Sequence, residues 1–121
     1  MDFQESDEFK KEFKKLHKKY PTLEDDLEVV KKAIAASPEG NGSKHWETLS
    51  RDTSDKRILK MRMMCRAVRG SQFRLVYLYD GQSVEVLFIE LYFKGNKERE
   101  DKERIKILID SLVKDGRWKL Q

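Results

Sequence analysis

Basic side chains are concentrated in one stretch of the sequence that contains no acid. Between Lys56 and Tyr79 there is no Asp or Glu. The cations of this stretch are Lys56, Arg57, Lys60, Arg62, Arg66, Arg69 and Arg74. Lys60 and Arg62 are two positions apart in a strand-like pattern, so their side chains emerge on the same face of a sheet. Arg74 lies on the next strand and can join them. Cations without local acids suit an anionic group such as phosphate.

Cations held on strands can also promote phosphodiester chemistry. In RNA the ribose 2′-hydroxyl can attack the adjacent phosphate, and Arg and Lys side chains can stabilise the dianionic phosphorane that forms. The reaction also needs a proton acceptor and a proton donor. Lys94 and Lys97 follow the third strand and can complete the rim of such a site. The alternative is an ordinary charged sheet face, although strand pairs usually place opposite charges across from each other.

Other chemistries have little support in the sequence. His17 and His45 are the only histidines and Cys65 is the only cysteine, so no ligand spacing predicts a metal site. There is no glycine-rich phosphate loop and no nucleophile-elbow motif, and we expect no cofactor.

The net charge of +4 favours an anionic partner only weakly. With no apolar signal core and no apolar run of membrane length, we expect a cytoplasmic protein that does not bind membranes.

The N-terminal third predicts a helical hairpin. Ser6 is an N-cap, and apolar residues then recur at helical spacing up to Pro21. Thr22 is the predicted cap of a second helix. The apolar positions of the two helices are Phe9, Phe13, Leu16 and Tyr20, then Leu23, Leu27, Val30 and Ile34. Residues 37–54 contain a proline and two glycines and predict a loop, while residues 1–5 can add an edge strand.

Three strands and a helix are predicted for the rest of the chain. Residues 57–66 alternate, residues 72–79 form the second strand, and residues 83–93 are almost entirely apolar, as in a central strand. The third helix covers 100–113. The core is expected to include Met61, Met63 and Met64. This order predicts one α+β domain over residues 1–121, with an antiparallel sheet of three to four strands, an N-terminal helical hairpin and a C-terminal helix.

A family resemblance is carried by the run KMRMMCRAVRGSQFRLVYLYDGQSVEVLFIELYFKGNKERE. It resembles the RelE-type toxins of the RelE/ParE superfamily. In these toxins a strand with alternating basic residues precedes a Gly-x-x-aromatic-Arg-Leu-Val/Ile-Tyr strand, and a hydrophobic strand then ends in a basic segment. The hairpin FKKEFKKLHKKYPTLEDDLEVV is also similar, so the resemblance covers residues 9–109. It implies a RelE-like fold and a type II toxin, a metal-independent endoribonuclease that cleaves mRNA on the ribosome and inhibits translation.

The resemblance also implies roles for single residues. Lys60 is implied as general base or phosphate ligand, and Lys94 as a source of charge or of a proton. Arg62 and Arg74 are implied to hold the scissile phosphate and to stabilise the transition state. Further RNA contacts are expected at Arg66, Arg69, Lys97 and Arg99.

Proton transfer and partners follow from the same resemblance. The tyrosine or histidine that the family places near the C-terminus is missing after Lys97, which leaves His45 and Tyr92 as acid or base candidates. The implied partners are a cognate antitoxin that is a DNA-binding repressor, the ribosome and mRNA.

Two other functions stay open: a ParE-like toxin that inhibits gyrase, and a noncatalytic module that binds RNA or a partner. The cluster of Lys60, Arg62 and Arg74 favours the nuclease, because gyrase-directed members need no such cluster.

Overall fold

The strands of this chain form one five-stranded sheet with helices on both faces. The computed structural model describes residues 1–119. In chain order the elements are β1 (Asp2–Glu5), α1 (Asp7–Lys19), α2 (Leu23–Ala36), β2 (Trp46–Arg51), β3 (Lys56–Met63), β4 (Phe73–Asp80), β5 (Glu85–Phe93) and α3 (Lys102–Lys114). None of the helices in this part of the chain is long and apolar enough to cross a membrane.

The sheet is mixed, and its strand order is β1-β5-β4-β3-β2. The strands β2, β3, β4 and β5 pair in antiparallel fashion, whereas the edge strand β1 runs parallel to β5. The α+β class is therefore confirmed, but the expected antiparallel sheet of three to four strands is wrong. The missed strand, β2, lies inside the segment predicted as a loop. A register shift between Thr48 and Ser50 interrupts its alternation, which removes the period of two that would have identified a strand.

Each face of the sheet packs against its own helices. α1 and α2 cover the face that carries Leu59, Met61 and Met63, whereas α3 covers the face that carries Ile58, Val76 and Ile89. Because both of its faces are covered, β5 is almost continuously apolar, as its sequence predicted. Trp118 follows α3 and is buried with the α3 cluster.

The methionine prediction is confirmed at two positions and wrong at one. Met61 and Met63 are buried, but Met64 is 67% exposed. The strand β3 ends at Met63, so the next residue no longer follows the alternation of the sheet. Cys65, in the loop that follows, is buried all the same.

The three helices differ in how their N-terminal ends are capped. Ser6 caps α1 as predicted, since its Oγ accepts a hydrogen bond from the Phe9 N–H at 3.2 Å. Thr22 precedes α2, but its hydroxyl donates to the Asp26 carboxylate at 2.8 Å rather than capping the backbone. α3 begins two residues later than expected, with Asp101 as its N-cap. The late start leaves Glu100 outside the helix, in the connection from β5.

Candidate functional site

Two cross-strand rows on the α3 face of the sheet carry Lys60, Arg62 and Arg74. Residues that lie directly opposite each other in a sheet share a face. The first row consists of Glu47, Lys60, Val76 and Glu90. The second row consists of Arg62, Arg74 and Tyr92. Arg62 and Arg74 are therefore direct cross-strand neighbours, as the alternation of the sequence suggested.

A cavity of about 130 Å³ lies over these rows, and we call it the basic cleft. Its lining includes all the residues predicted as catalytic, together with one acid or base candidate: Lys60, Arg62, Arg74, Lys94 and His45. They come from β3, β4, the end of β5 and the segment before β2. His45 is held there through its backbone, because its carbonyl oxygen accepts the Arg62 N–H at 2.8 Å.

Arg62 and Arg74 form a pair of like charges. No carboxylate lies within 4.0 Å of either guanidinium in residues 1–119. Arg74 Nη1 donates to the carbonyl oxygens of Ser71 and Phe73, at 2.7 and 3.0 Å, which fixes the side chain without neutralising it. Partial burial lowers the pKa of Arg74, and the charge of Arg62 lowers it further. Such a pair costs stability until an anion binds between the two cations.

Lys60 differs from the two arginines because it has acidic partners. Its Nζ donates to Glu100 Oε1 at 2.8 Å and lies 3.7 Å from Glu47 Oε1. Burial alone would raise the pKa of Glu100, but the hydrogen bond from Lys60 brings it below the usual value. The expectation of unpaired cations is therefore wrong at Lys60. The Lys60 ammonium is already engaged by a carboxylate in the free protein.

Tyr92 lies directly opposite Arg74 and is 5% exposed. Its hydroxyl is a buried side-chain oxygen without a hydrogen-bond partner in residues 1–119. Burial raises the pKa of Tyr92 to about 12, with further increases from Glu100 and Glu90. The phenol is therefore neutral at physiological pH and has a proton to donate. An unpaired buried hydroxyl costs free energy, and Tyr92 is not among the residues that line the basic cleft.

Glu90 is a fully buried carboxylate that anchors one wall of the site. A bulge in β5 pairs Glu90 with Val76 and so turns its side chain toward the α3 face. It accepts hydrogen bonds from the Lys97 ammonium and from the Asp101 N–H, the latter at 2.8 Å. These two contacts hold the connection that places Glu100 on Lys60.

The four residues predicted as outer RNA contacts lie outside the basic cleft. Arg66 lies beyond the end of β3 and contacts Asp25 and Asp26 of α2, at 3.2 and 3.3 Å. Lys97 pairs with Glu90 and lies over the Tyr92 ring, 5.5 Å from its centroid. Arg69 and Arg99 are exposed in loops. Of these residues, none lines the basic cleft.

Glu90 and Glu100 were missed by the sequence reasoning. A signal was present for Glu90, because it interrupts an otherwise apolar run over residues 86–93. A carboxylate in a strand buried on both faces needs a cationic or N–H partner. For Glu100 there was no such signal, since its partner Lys60 is 40 positions away.

The described residues, 1–119, include no group of three or more His, Cys, Asp or Glu side chains placed to hold a metal ion. Comparisons with protein-family models, with curated proteins and with solved structures found no match to this chain.

Proposed function

We propose that this protein is a type II toxin that cleaves mRNA on the ribosome and inhibits translation. One observation carries the proposal: Arg62 and Arg74 lie opposite each other in the basic cleft, with no carboxylate within 4.0 Å of either guanidinium in residues 1–119. Two cations on neighbouring strands fit a phosphodiester that gains charge during reaction. The resemblance of residues 9–109 to RelE-type toxins supports the choice of mRNA as the substrate.

In the proposed reaction the two arginines bind the nonbridging oxygens of one phosphate. The ribose 2′-oxygen attacks phosphorus, the bond from phosphorus to the 5′-oxygen breaks, and the products are a 2′,3′-cyclic phosphate and a 5′-hydroxyl. Arg62 and Arg74 stabilise the extra negative charge of the phosphorane. No metal ion takes part in this scheme.

Two protons must move in this reaction. His45 lines the cleft and accepts the proton of the 2′-hydroxyl. Tyr92 is neutral because its pKa is raised, and its buried hydroxyl has to be uncovered when RNA binds before it can donate a proton toward the leaving 5′-oxygen. Lys60 and Lys94 contribute positive charge at the rim, and Glu100 keeps Lys60 oriented.

The proposed partners are mRNA, the ribosome and an antitoxin that represses its own operon by binding DNA, all in the cytoplasm. An acidic segment of the antitoxin that covers Arg62 and Arg74 would block the site, because it competes with phosphate for the same cations.

A reconstituted translation reaction tests this function. Purified protein is added to ribosomes carrying a defined mRNA, and the RNA fragments are mapped. We expect cuts within codons at the ribosomal A site, and a strong loss of cutting in a folded Arg74→Ala variant. Intact mRNA with folded wild-type protein would reject the nuclease, and loss of gyrase-dependent supercoiling in the same preparation would favour the ParE-like alternative.

A second candidate, a noncatalytic RNA-binding module, has one observation in its favour. Lys60 is engaged with Glu100 and Glu47, so the implied general base is already paired. On this hypothesis the cleft binds RNA with steep salt dependence but leaves it intact. Fragment mapping separates the two candidates, because both predict binding and only one predicts cut ends.

A further inference from the structure

A second and larger cavity, of about 690 Å³, lies beside the basic cleft, and we call it the apolar groove. Its walls include Val29 and Ala33 of α2 and Met61 and Met64 from β3 and the residue that follows it. Its volume falls within the range of about 300–1,000 Å³ that is usual for small-molecule sites. Apart from His45 and Arg62, the residues that line this groove have no role in the proposed reaction.

The apolar groove and the basic cleft share part of their lining. His45, Met61 and Arg62 border both cavities. Because α2 and Met61 lie on one face of the sheet and the cleft on the other, a nucleotide whose phosphate is on Arg62 would reach the groove by passing around the end of β3. In a nucleotide the base is joined to the phosphate through a single ribose.

Two large apolar side chains in the lining of the groove are exposed to solvent. Val29 is 66% exposed and Met64 is 67% exposed. Exposed apolar side chains that meet in a concave surface are typical of binding sites. Methionine also makes favourable contacts with aromatic rings through its polarisable sulfur.

The rim of the groove is polar. Asp25, whose side chain is 79% exposed, and Arg66 lie at its edge and contact each other at 3.2 Å. A nucleobase matches this arrangement, since it has apolar faces and a hydrogen-bonding edge. An aliphatic protein segment would match the floor of the groove but would not use the adjoining cations.

We propose that the apolar groove binds the nucleobase next to the phosphate held by Arg62 and Arg74. The base packs against Val29 and Met64 and directs its polar edge to Asp25 and Arg66. This proposal rests on the proposed function, because it takes the phosphate in the basic cleft to belong to RNA. It adds a source of base preference that the cations alone lack, since phosphate contacts carry no sequence information.

The test uses short probes that cannot be cleaved. Wild-type protein is titrated with 2′-O-methyl dinucleoside monophosphates and with the same molecules lacking one base, and binding is followed by NMR. We expect the loss of one of the two bases to weaken binding about tenfold, by analogy with base-stacking contributions and apolar burial. A Val29→Ala/Met64→Ala double variant should lose this difference and bind the abasic probe as wild type does.

Matched controls keep the outcomes distinct. Ile107→Ala removes another exposed apolar side chain, on α3 and away from the groove, and should change nothing. Equal affinities for complete and abasic probes in the wild type would overturn the base site. Failure of both probes to bind would remove the phosphate site as well. Base-dependent binding together with intact ribosomal mRNA would keep the groove and reject only the nuclease.

Discussion

Replacing Arg62 by glutamine should make the free protein more stable and its binding of RNA weaker. Arg62 lies directly opposite Arg74, with no carboxylate near either guanidinium in residues 1–119. Cross-strand charge pairs contribute roughly 0.2–1 kcal/mol, and like charges are destabilising. Because Arg62 is exposed and screened by solvent, we expect a gain of about 0.5 kcal/mol at low ionic strength. This corresponds to a rise in Tm of about 2 °C.

The effect on RNA binding has the opposite sign. A hydrogen bond to a charged group contributes about 1.5–3 kcal/mol, so the variant should bind single-stranded RNA at least about tenfold less tightly. With one phosphate contact fewer, the slope of log K against log salt should become shallower by about 0.7. Urea and thermal unfolding measure the stability, and fluorescence anisotropy with a labelled single-stranded RNA over a salt series measures the binding.

Lys56→Gln is the matched control for this prediction. Lys56 is also on β3 and also lies opposite a β4 residue, but that residue is Asp80, with the charged atoms 3.8 Å apart. Removing this partly buried pair should cost about 1 kcal/mol of stability and leave the RNA salt slope unchanged. The reasoning fails if Arg62→Gln destabilises the protein as Lys56→Gln does, or if it keeps the wild-type slope.

Three further substitutions test the surroundings of the site. Tyr92→Phe removes a buried hydroxyl that has no protein partner in the described residues, so urea unfolding should show unchanged stability or a gain of up to about 1 kcal/mol. RNA cleavage should fall about 100-fold. A clear loss of stability would contradict this prediction. Glu100→Gln should lower stability at pH 7, because the pKa of Glu100 in the folded state is below its usual value of 4.5. In a pH series of urea titrations, the difference in stability from the wild type should disappear as the pH falls through the folded-state pKa. A difference that persists in acid would show that the charge is not the cause. Trp118→Ala should cost about 3–5 kcal/mol in urea unfolding, since Trp118 is 4% exposed within the α3 core, and a small loss would show that this tail is not part of that core.

Local patterns in the sequence predicted much of this molecule. The alternation from Leu59 to Met63 predicted that Lys60 and Arg62 share a face and that Met61 is buried, and both expectations are confirmed. The helical spacing from Phe9 onward and the Ser6 cap predicted α1. These features depend on neighbours a few positions apart, which a single sequence displays directly.

Contacts between distant residues could not be predicted in the same way. The pairing of Lys60 with Glu100 joins two elements 40 positions apart, and neither shows a periodic signal for it. The edge strand over residues 1–5 was predicted, but its parallel pairing with β5 was not, and β2 is hidden by its irregular register. Alternation also does not show where a strand stops. Met64 was placed in the core as one of a group of three methionines, but it is exposed. Arg66 was expected to contact RNA from the link after the strand, and in the structure it contacts Asp25 and Asp26.

The chemical nature of the cut ends tests the central claim most directly. mRNA on ribosomes is incubated with wild-type protein and with the Arg62→Gln and Lys56→Gln variants, and the fragment termini are identified by mass spectrometry. The account predicts 2′,3′-cyclic phosphate and 5′-hydroxyl ends with wild-type protein and with Lys56→Gln, and far fewer with Arg62→Gln. Intact mRNA, or fragments with 5′-phosphate ends that would require attack by water, would contradict it.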